Sequence, residues 1–285
     1  MRKLPVVVMI LVILLCSVTT SFANDARSSY DEGVQYFKQG EFEAAIAEFS
    51  DAIDIDPQFV EAYIYRGIAY RNNGQYDDAI ADYDRALAIN PNSANTYQCR
   101  GNAYYYKREY NSAISDYTRA IQINPQDDSA YYNRGVAYSN QKRYDMSISD
   151  YSHAIAINPN DASYYYNRGI ARFNKEHEIN QNGQYDAAIA DFTRAIQINP
   201  NHAKAYDVRG HAYYHQGKYD NTIADCSRSI AIDPSDARAY CNRGNAYKAK
   251  GQYELAIADY QKAISLDPGN ETYINNLKNA RSEMR

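Results

Sequence analysis

Residues 63–91 read YIYRGIAYRNNGQYDDAIADYDRALAINP. Tyr63, Arg66, Gly67 and Tyr70 precede a turn at Gly74, and Tyr76, Ala79, Tyr83 and Ala86 follow it. The small residues Gly67 and Ala79 let two antiparallel helices approach closely, while the rings of Tyr70 and Tyr83 fill the space around that contact. Asn90-Pro91 ends the second helix, because proline has no amide donor and disfavours a helical residue before it. The stretch predicts a pair of helices that cannot bury its apolar side alone and must stack on neighbours.

The neighbours are in the sequence. The same string restarts at Tyr97, Tyr131, Tyr165, Tyr206 and Tyr240, and prolines fall at 57, 91, 125, 159, 200, 234 and 268, with intervals of 34, 34, 34, 41, 34 and 34 residues. This period and the Tyr-x-x-Arg-Gly-x-x-Tyr…Gly-x-Tyr…Ala…Tyr…Ala…Pro pattern resemble the tetratricopeptide repeat family. Tyr stands here for that family's Trp and usually its Phe, and Arg for its Leu. The resemblance implies an all-α, right-handed superhelical solenoid of seven helix pairs. The expected repeats are 26–59, 60–93, 94–127, 128–161, 162–202, 203–236 and 237–270. Residues 271–285, with Tyr273, Ile274, Leu277 and Ala280 at helical spacing, read as a solubilising cap helix.

Repetition accounts for 22 of the 31 tyrosines as core packing: the positions of Tyr63, Tyr70, Tyr76 and Tyr83 and their counterparts. Each Arg of the Arg-Gly pair also lies 18 residues after an acid, as in Glu48–Arg66, Asp82–Arg100, Asp116–Arg134, Asp150–Arg168, Asp191–Arg209 and Asp225–Arg243. Pairing within a unit would oppose Glu32 to Glu48 in the first repeat. The expectation is therefore a ladder of ion pairs between repeats.

By the family resemblance, first helices line a concave groove that receives a peptide or a partner helix. Seven leftover tyrosines fall at groove places, Tyr30, Tyr65, Tyr105, Tyr106, Tyr132, Tyr166 and Tyr214, together with Asn102, Asn133, Asn167, Asn242 and Asn245. Tyr gives rigid contact area with a polar tip, and Asn offers donor and acceptor to a peptide backbone. The fifth places carry no Lys, so the terminal-carboxylate clamp of some family members is not expected.

The fifth repeat carries seven extra residues near Lys175–Gln181, which should lengthen both of its helices by about one turn. Asp207, His211 and His215 share one helical face and are metal-ligand types, with Cys241 approaching from the next unit. The ~5.4 Å helical pitch makes joint ligation by Asp207 and His215 awkward, so no metal or other cofactor is expected. Cys226 and Cys241 lie on helices that should pack together, which leaves a disulfide open.

At the N-terminus, Arg2 and Lys3 precede an apolar run from Val6 to Leu15, followed by Ser21-Phe22-Ala23. This reads as a signal peptide, residues 1–23, too short to span a bilayer as a helix. The mature chain is expected to be exported to the periplasm; a lipid anchor at Cys16 or a retained leader is the alternative. Removing Arg2 and Lys3 takes the net charge from −5 to −7, which argues against a nucleic-acid partner. The repeats leave no room for a second domain, and no phosphate loop, His-Glu-x-x-His or activated nucleophile is visible. The sequence thus predicts a non-catalytic scaffold for a protein or peptide partner in cell-envelope assembly. The alternatives are a metal-binding or metal-delivery protein using the Asp/His stripe, and a self-associating homo-oligomeric solenoid.

Overall fold

The computed structural model describes residues 25–179 and 185–284, and their regular structure is entirely helical. The expected leader, 1–23, lies outside them, as do positions 180 and 181 of the insertion. The chain forms two compact units, one running to Ala137 and the other from Tyr138. The first holds α1 (25–39), α2 (Phe42–Ile55), α3 (Val60–Asn72), α4 (Tyr76–Ile89), α5 (Ala94–Tyr106), α6 (Tyr110–Ile123) and most of α7 (Asp128–Asn140). The second holds α8 (Tyr144–Ile157), α9 (Ala162–Ile179), α10 (Asp186–Ile198), α11 (Ala203–His215), α12 (Tyr219–Ile232), α13 (Ala237–Ala249), α14 (Tyr253–Leu266) and α15 (Glu271–Glu283). Each periodic proline sits two residues beyond the end of a second helix, as Pro91 follows Ile89.

Within a pair the two helices meet through a glycine notch. A Cβ on Gly67 would stand 2.7 Å from the Tyr83 ring, and Gly33, Gly101, Gly169 and Gly244 meet Phe49, Tyr117, Phe192 and Tyr260 in the same way. These rings are fully buried, as are the alanines that frame them, such as Ala79 and Ala86 against Tyr83. The turn between helices needs a left-handed residue, supplied by Gly74 at φ 81° and, one and two periods later, by Arg108 at 63° and Lys142 at 58°.

The other tyrosines pack on the core as expected, Tyr63 within it and Tyr70, Tyr97 and Tyr104 at its edge, and they also flank the arginine. Tyr63 and Tyr70 lie 5.7 and 5.9 Å from the Arg66 guanidinium, one on either side in sequence, and Tyr97 and Tyr104 stand likewise by Arg100. Tyr206 with Tyr213 and Tyr240 with Tyr247 repeat the arrangement around Arg209 and Arg243. Positions −3 and +4 from the Arg share its helical face, so these rings shield a cation.

That cation pairs first within its own repeat, not with the acid 18 residues back. Arg66 grips Asp82, in its own pair, with Nε and Nη2 at 2.8 and 2.7 Å. Arg100–Asp116, Arg168–Asp191, Arg209–Asp225 and Arg243–Asp259 do the same. The bond to the preceding repeat comes from the remaining nitrogen, Nη1, which donates to Ser50 from Arg66, Thr118 from Arg134, Ser152 from Arg168, Thr193 from Arg209 and Ser227 from Arg243, and from Arg100 to the Asp84 carboxylate, an ion pair between repeats. The acid 18 residues back lies two residues before that hydroxyl, about 200° around the helix, and so faces away from this Arg. Glu32 and Glu48 do oppose each other in the first pair. Burial and then the Glu32 charge push the Glu48 carboxyl up.

Charged contacts between repeats occur elsewhere. Lys107 reaches Asp77 at 2.6 Å, and Lys175 and Lys250 reach Asp145 and Asp220, all 30 residues apart. These acids are largely exposed, so water and salt screen each pair and it adds little to stability.

The insertion lengthens α9 alone, to 18 residues against 13 in the other described first helices from α3 onward. The helix after it, α10, has 13 residues and starts after Tyr185. Tyr185 is fully buried, 4.9 Å from Phe173 of α9, and it fixes where α10 begins. Arg172, at a usual Tyr place, joins Arg168 on Asp191 at 2.8 Å.

The corrected pairing is open to a double-mutant cycle in urea. Arg209→Ala with Asp225→Ala should show a coupling of about 1–3 kcal/mol, and Arg209→Ala with Asp191→Ala less than about 0.5 kcal/mol. The reverse order would restore the ladder between repeats.

Candidate functional site

First helices of successive pairs touch one another, α3 with α5 in the first unit and α9 with α11, α11 with α13 and α13 with α15 in the second. Within each unit they form a face on which the sequence places its binding residues. The structure sorts those residues into three groups.

In the first unit Tyr65 is half-buried and packs edge-on to Tyr30 and beside Phe37 and Phe49. Tyr30 itself is only 8 % exposed, so the α1–α3 end of the face is an aromatic core. Further along, Asn102, Tyr105, Tyr106, Tyr117, Asn133 and Val136 enclose a cleft of about 90 Å³. Tyr106 is 58 % exposed, stacks on Tyr76 at an interplanar angle of 10°, and meets Tyr105 edge-on. Tyr105 rests on Tyr110. Tyr132, next to Asn133 on α7, is half-buried. The cleft is lined by neutral groups, phenols and amides with one valine.

A second group is spent on the fold. Asn102 accepts a hydrogen bond from the buried Tyr117 phenol at 2.7 Å, and Asn245 accepts one from Tyr260 at 2.8 Å. Asn245 also accepts from Asn276 of the cap helix. The equivalent of Asn102 one period earlier is Ile68, and there the buried Tyr83 hydroxyl has no partner. Putting Tyr where the family has Phe brings in a phenol, and Asn satisfies it. Asn242 is 8 % exposed and donates to Asp207 at 2.8 Å; it is unavailable to a ligand. Asn167 donates to Ser163 of its own helix.

The third group lies in the second unit. Tyr166 is half-buried against Phe192 and, at 4.8 Å, His202. His202, which the sequence reading passed over, caps α11: its Nδ1 accepts the Ala205 amide at 3.2 Å. Burial pushes its imidazole down, helped by Lys204. Tyr214 leans on His215 and Tyr219.

The Asp207–His211–His215 stripe breaks in two. Asp207 is fully buried and committed to Arg238, whose Nε donates at 2.6 Å, and to Asn242. His211 and His215 instead face each other, Nε2 to Nε2, at 3.2 Å. Burial, then His215 and Arg238, push His211 down to about 4, and burial lowers His215 too. Among the described residues no group of three or more His, Cys, Asp or Glu is placed to hold a metal ion. Cys99, Cys226 and Cys241 are buried free thiols. Cys226 takes the place of a core ring, its Sγ lying 3.0 Å from where a Cβ on Gly210 would be. Cys241 points instead to Asn276 and Asn245, and the two sulfurs serve different packing contacts.

Models of the tetratricopeptide repeat match residues 30–94, 129–161 and 237–270, and further models of the same repeat match 101–142, 151–190, 177–215 and 210–251. The chain belongs to the tetratricopeptide repeat family. No curated protein matches it. Among solved structures, a tetratricopeptide repeat protein from Parabacteroides merdae is 21 % identical with a TM-score of 0.65, over 90 % of this chain and 99 % of that one. MamA is 27 % identical with a TM-score of 0.55, over 63 % of this chain and 94 % of its own. YrrB, 21 % identical with a TM-score of 0.55 over 67 % and 95 % of the two chains, shares the repeat fold. Among the described residues no helix is long and apolar enough to cross a membrane.

Two outcomes follow from these environments. Tyr117→Phe should cost about 0.5–1.5 kcal/mol and Tyr83→Phe nothing, since only the first hydroxyl has a partner to lose; urea melts of the two variants compare them directly. The depressed His202 means that the unfolded chain binds more protons, so its contribution to stability is lost as pH falls through the ordinary histidine range of about 6.5. His202→Asn keeps a capping acceptor that does not titrate, and should shrink the stability loss between about pH 7 and about pH 5 in the same melts.

Proposed function

We propose that this chain is a non-catalytic scaffold that holds an extended segment of another protein on its first-helix face and serves assembly in the cell envelope. The observation that carries this reading is the neutral cleft of Asn102, Tyr105, Tyr106, Tyr117, Asn133 and Val136, with the Tyr106 ring 58 % exposed beside it. Exposed tyrosine offers apolar area at low entropic cost, and an amide matches the donors and acceptors of a main chain. An uncharged cleft favours backbone and apolar contacts over a phosphate or carboxylate. The solved YrrB structure is described as a tetratricopeptide repeat protein with an unusual peptide-binding site, which supports a peptide reading for the repeat face here. Export rests on Arg2, Lys3 and the apolar run to Leu15 ahead of Ala23.

The test is a pull-down from the envelope fraction of cells making the full chain, against the Tyr106→Ala/Asn133→Ala variant. The parent should be recovered with its N-terminus at Asn24 and should retain a partner that the folded variant binds at least tenfold more weakly. Equal retention by both would remove the cleft from function, and an intact leader on a cytoplasmic chain would remove the envelope.

A further inference from the structure

Three of the chain's five histidines gather in one ring cluster where the lengthened α9 lies over α11. Phe173 stands 5.3 Å from the His211 ring and 5.7 Å from His215, with His177 at 5.4 Å and Tyr185 at 5.3 Å from His215. The arrangement belongs to this repeat alone. The positions of His211 and His215 are Ile68 and Asn72, Asn102 and Tyr106, Val136 and Asn140, Ile170 and Asn174, and Asn245 and Ala249 in the other repeats from the second onward. His177 lies in the part of α9 that the other first helices lack.

Residues four apart share a helical face, yet the two rings are turned so that the same nitrogen of each points at the other. With metal–imidazole bonds of about 2.0–2.1 Å, nitrogens 3.2 Å apart subtend an angle of about 100–105°, close to tetrahedral. A second observation points to the same place. Four buried side-chain polar atoms among the described residues have no hydrogen-bond partner, and one of them, Tyr185 Oη, belongs to a fully buried ring 5.3 Å from His215. A buried acceptor without a partner is costly, and a metal-bound water donates two hydrogen bonds.

We propose that His211 and His215 chelate a divalent transition-metal ion of the imidazole-binding class, such as Zn2+, through their Nε2 atoms. Two protein donors leave the remaining tetrahedral positions to water, for which Tyr185 Oη is an acceptor. Asp207 takes no part, being held by Arg238 and Asn242. The site is independent of the cleft in the first unit, and either can fail without the other.

The experiment is a titration of the metal-stripped, untagged full chain with Co2+, read by visible absorption and followed by displacement with Zn2+. One equivalent should bind with the intense bands of a tetrahedral site and be displaced by Zn2+. His211→Gln and His215→Gln should each weaken binding at least tenfold, whereas His153→Gln should not. In the parent chain, Zn2+ should shift the ring resonances of His211 and His215 first, a readout that needs no variant to fold. Absence of a saturable equivalent, binding unchanged in His215→Gln, or ring shifts confined to His153 and His202 would overturn the site.

Discussion

One arginine in each repeat from the second onward organises this molecule. Its guanidinium has five donors in a rigid fork, and the repeat uses each edge of that fork for a different job. The Nε–Nη2 edge takes a buried aspartate of the same pair, which locks the two helices together. Nη1 takes an oxygen of the preceding second helix, a hydroxyl for Arg66 and the Asp84 carboxylate for Arg100, which sets how one pair sits on the last. Burying a cation and a carboxylate is costly unless all their hydrogen bonds are met, and the tyrosines at −3 and +4 complete the enclosure through their faces. A lysine at this place would offer a point charge and lose both the fork and the stacking.

That constraint explains the composition. With an arginine in the family's leucine position, the large residues beside it must be aromatic and tolerate a charge. Tyrosine does so while its hydroxyl stays wet. Deeper in, the glycine notch demands a flat ring, and Tyr there brings a hydroxyl that needs an acceptor, supplied as Asn102 and Asn245 but missing beside Tyr83. Cys226 in place of a ring at Gly210 marks the pair where this rule is relaxed.

Helices, turns and repeat period are legible in the sequence because each rests on local chemistry: Asn-Pro after a helix, Gly at a left-handed turn, Gly and Ala at close contacts. The partner of the arginine is not. Separations of 16 and 18 residues both join neighbouring helices, and choosing between them requires the helix phase. The avoidance of a Glu32–Glu48 clash misled the choice, because a half-exposed pair at the end of a stack tolerates repulsion that an interior one would not. The insertion was misread for a similar reason: spacing gives its length, but only the burial of Tyr185 decides which helix absorbs it. Groove residues were legible by position and illegible by availability. Asn242 and Asn245 occupy binding places and are consumed by Asp207, Tyr260 and the cap helix.

Availability separates this face into parts with different chemistry. Toward the C-terminal cap, amides and charges are paired internally, Asp207 with Arg238 and Asn242, Cys241 with Asn276, so a ligand there would have to break bonds before making any. In the first unit the α1–α3 end is closed by Tyr30, Phe49 and Tyr65 packing on one another. In the same unit Tyr106 is the most exposed large aromatic among the described residues, and its stack on Tyr76 holds the ring in place at no cost to a ligand. A rigid exposed ring beside an amide-lined cleft loses little entropy on binding. A repeat fold carries no partner by itself; what distinguishes this member is where its tyrosines are left uncovered.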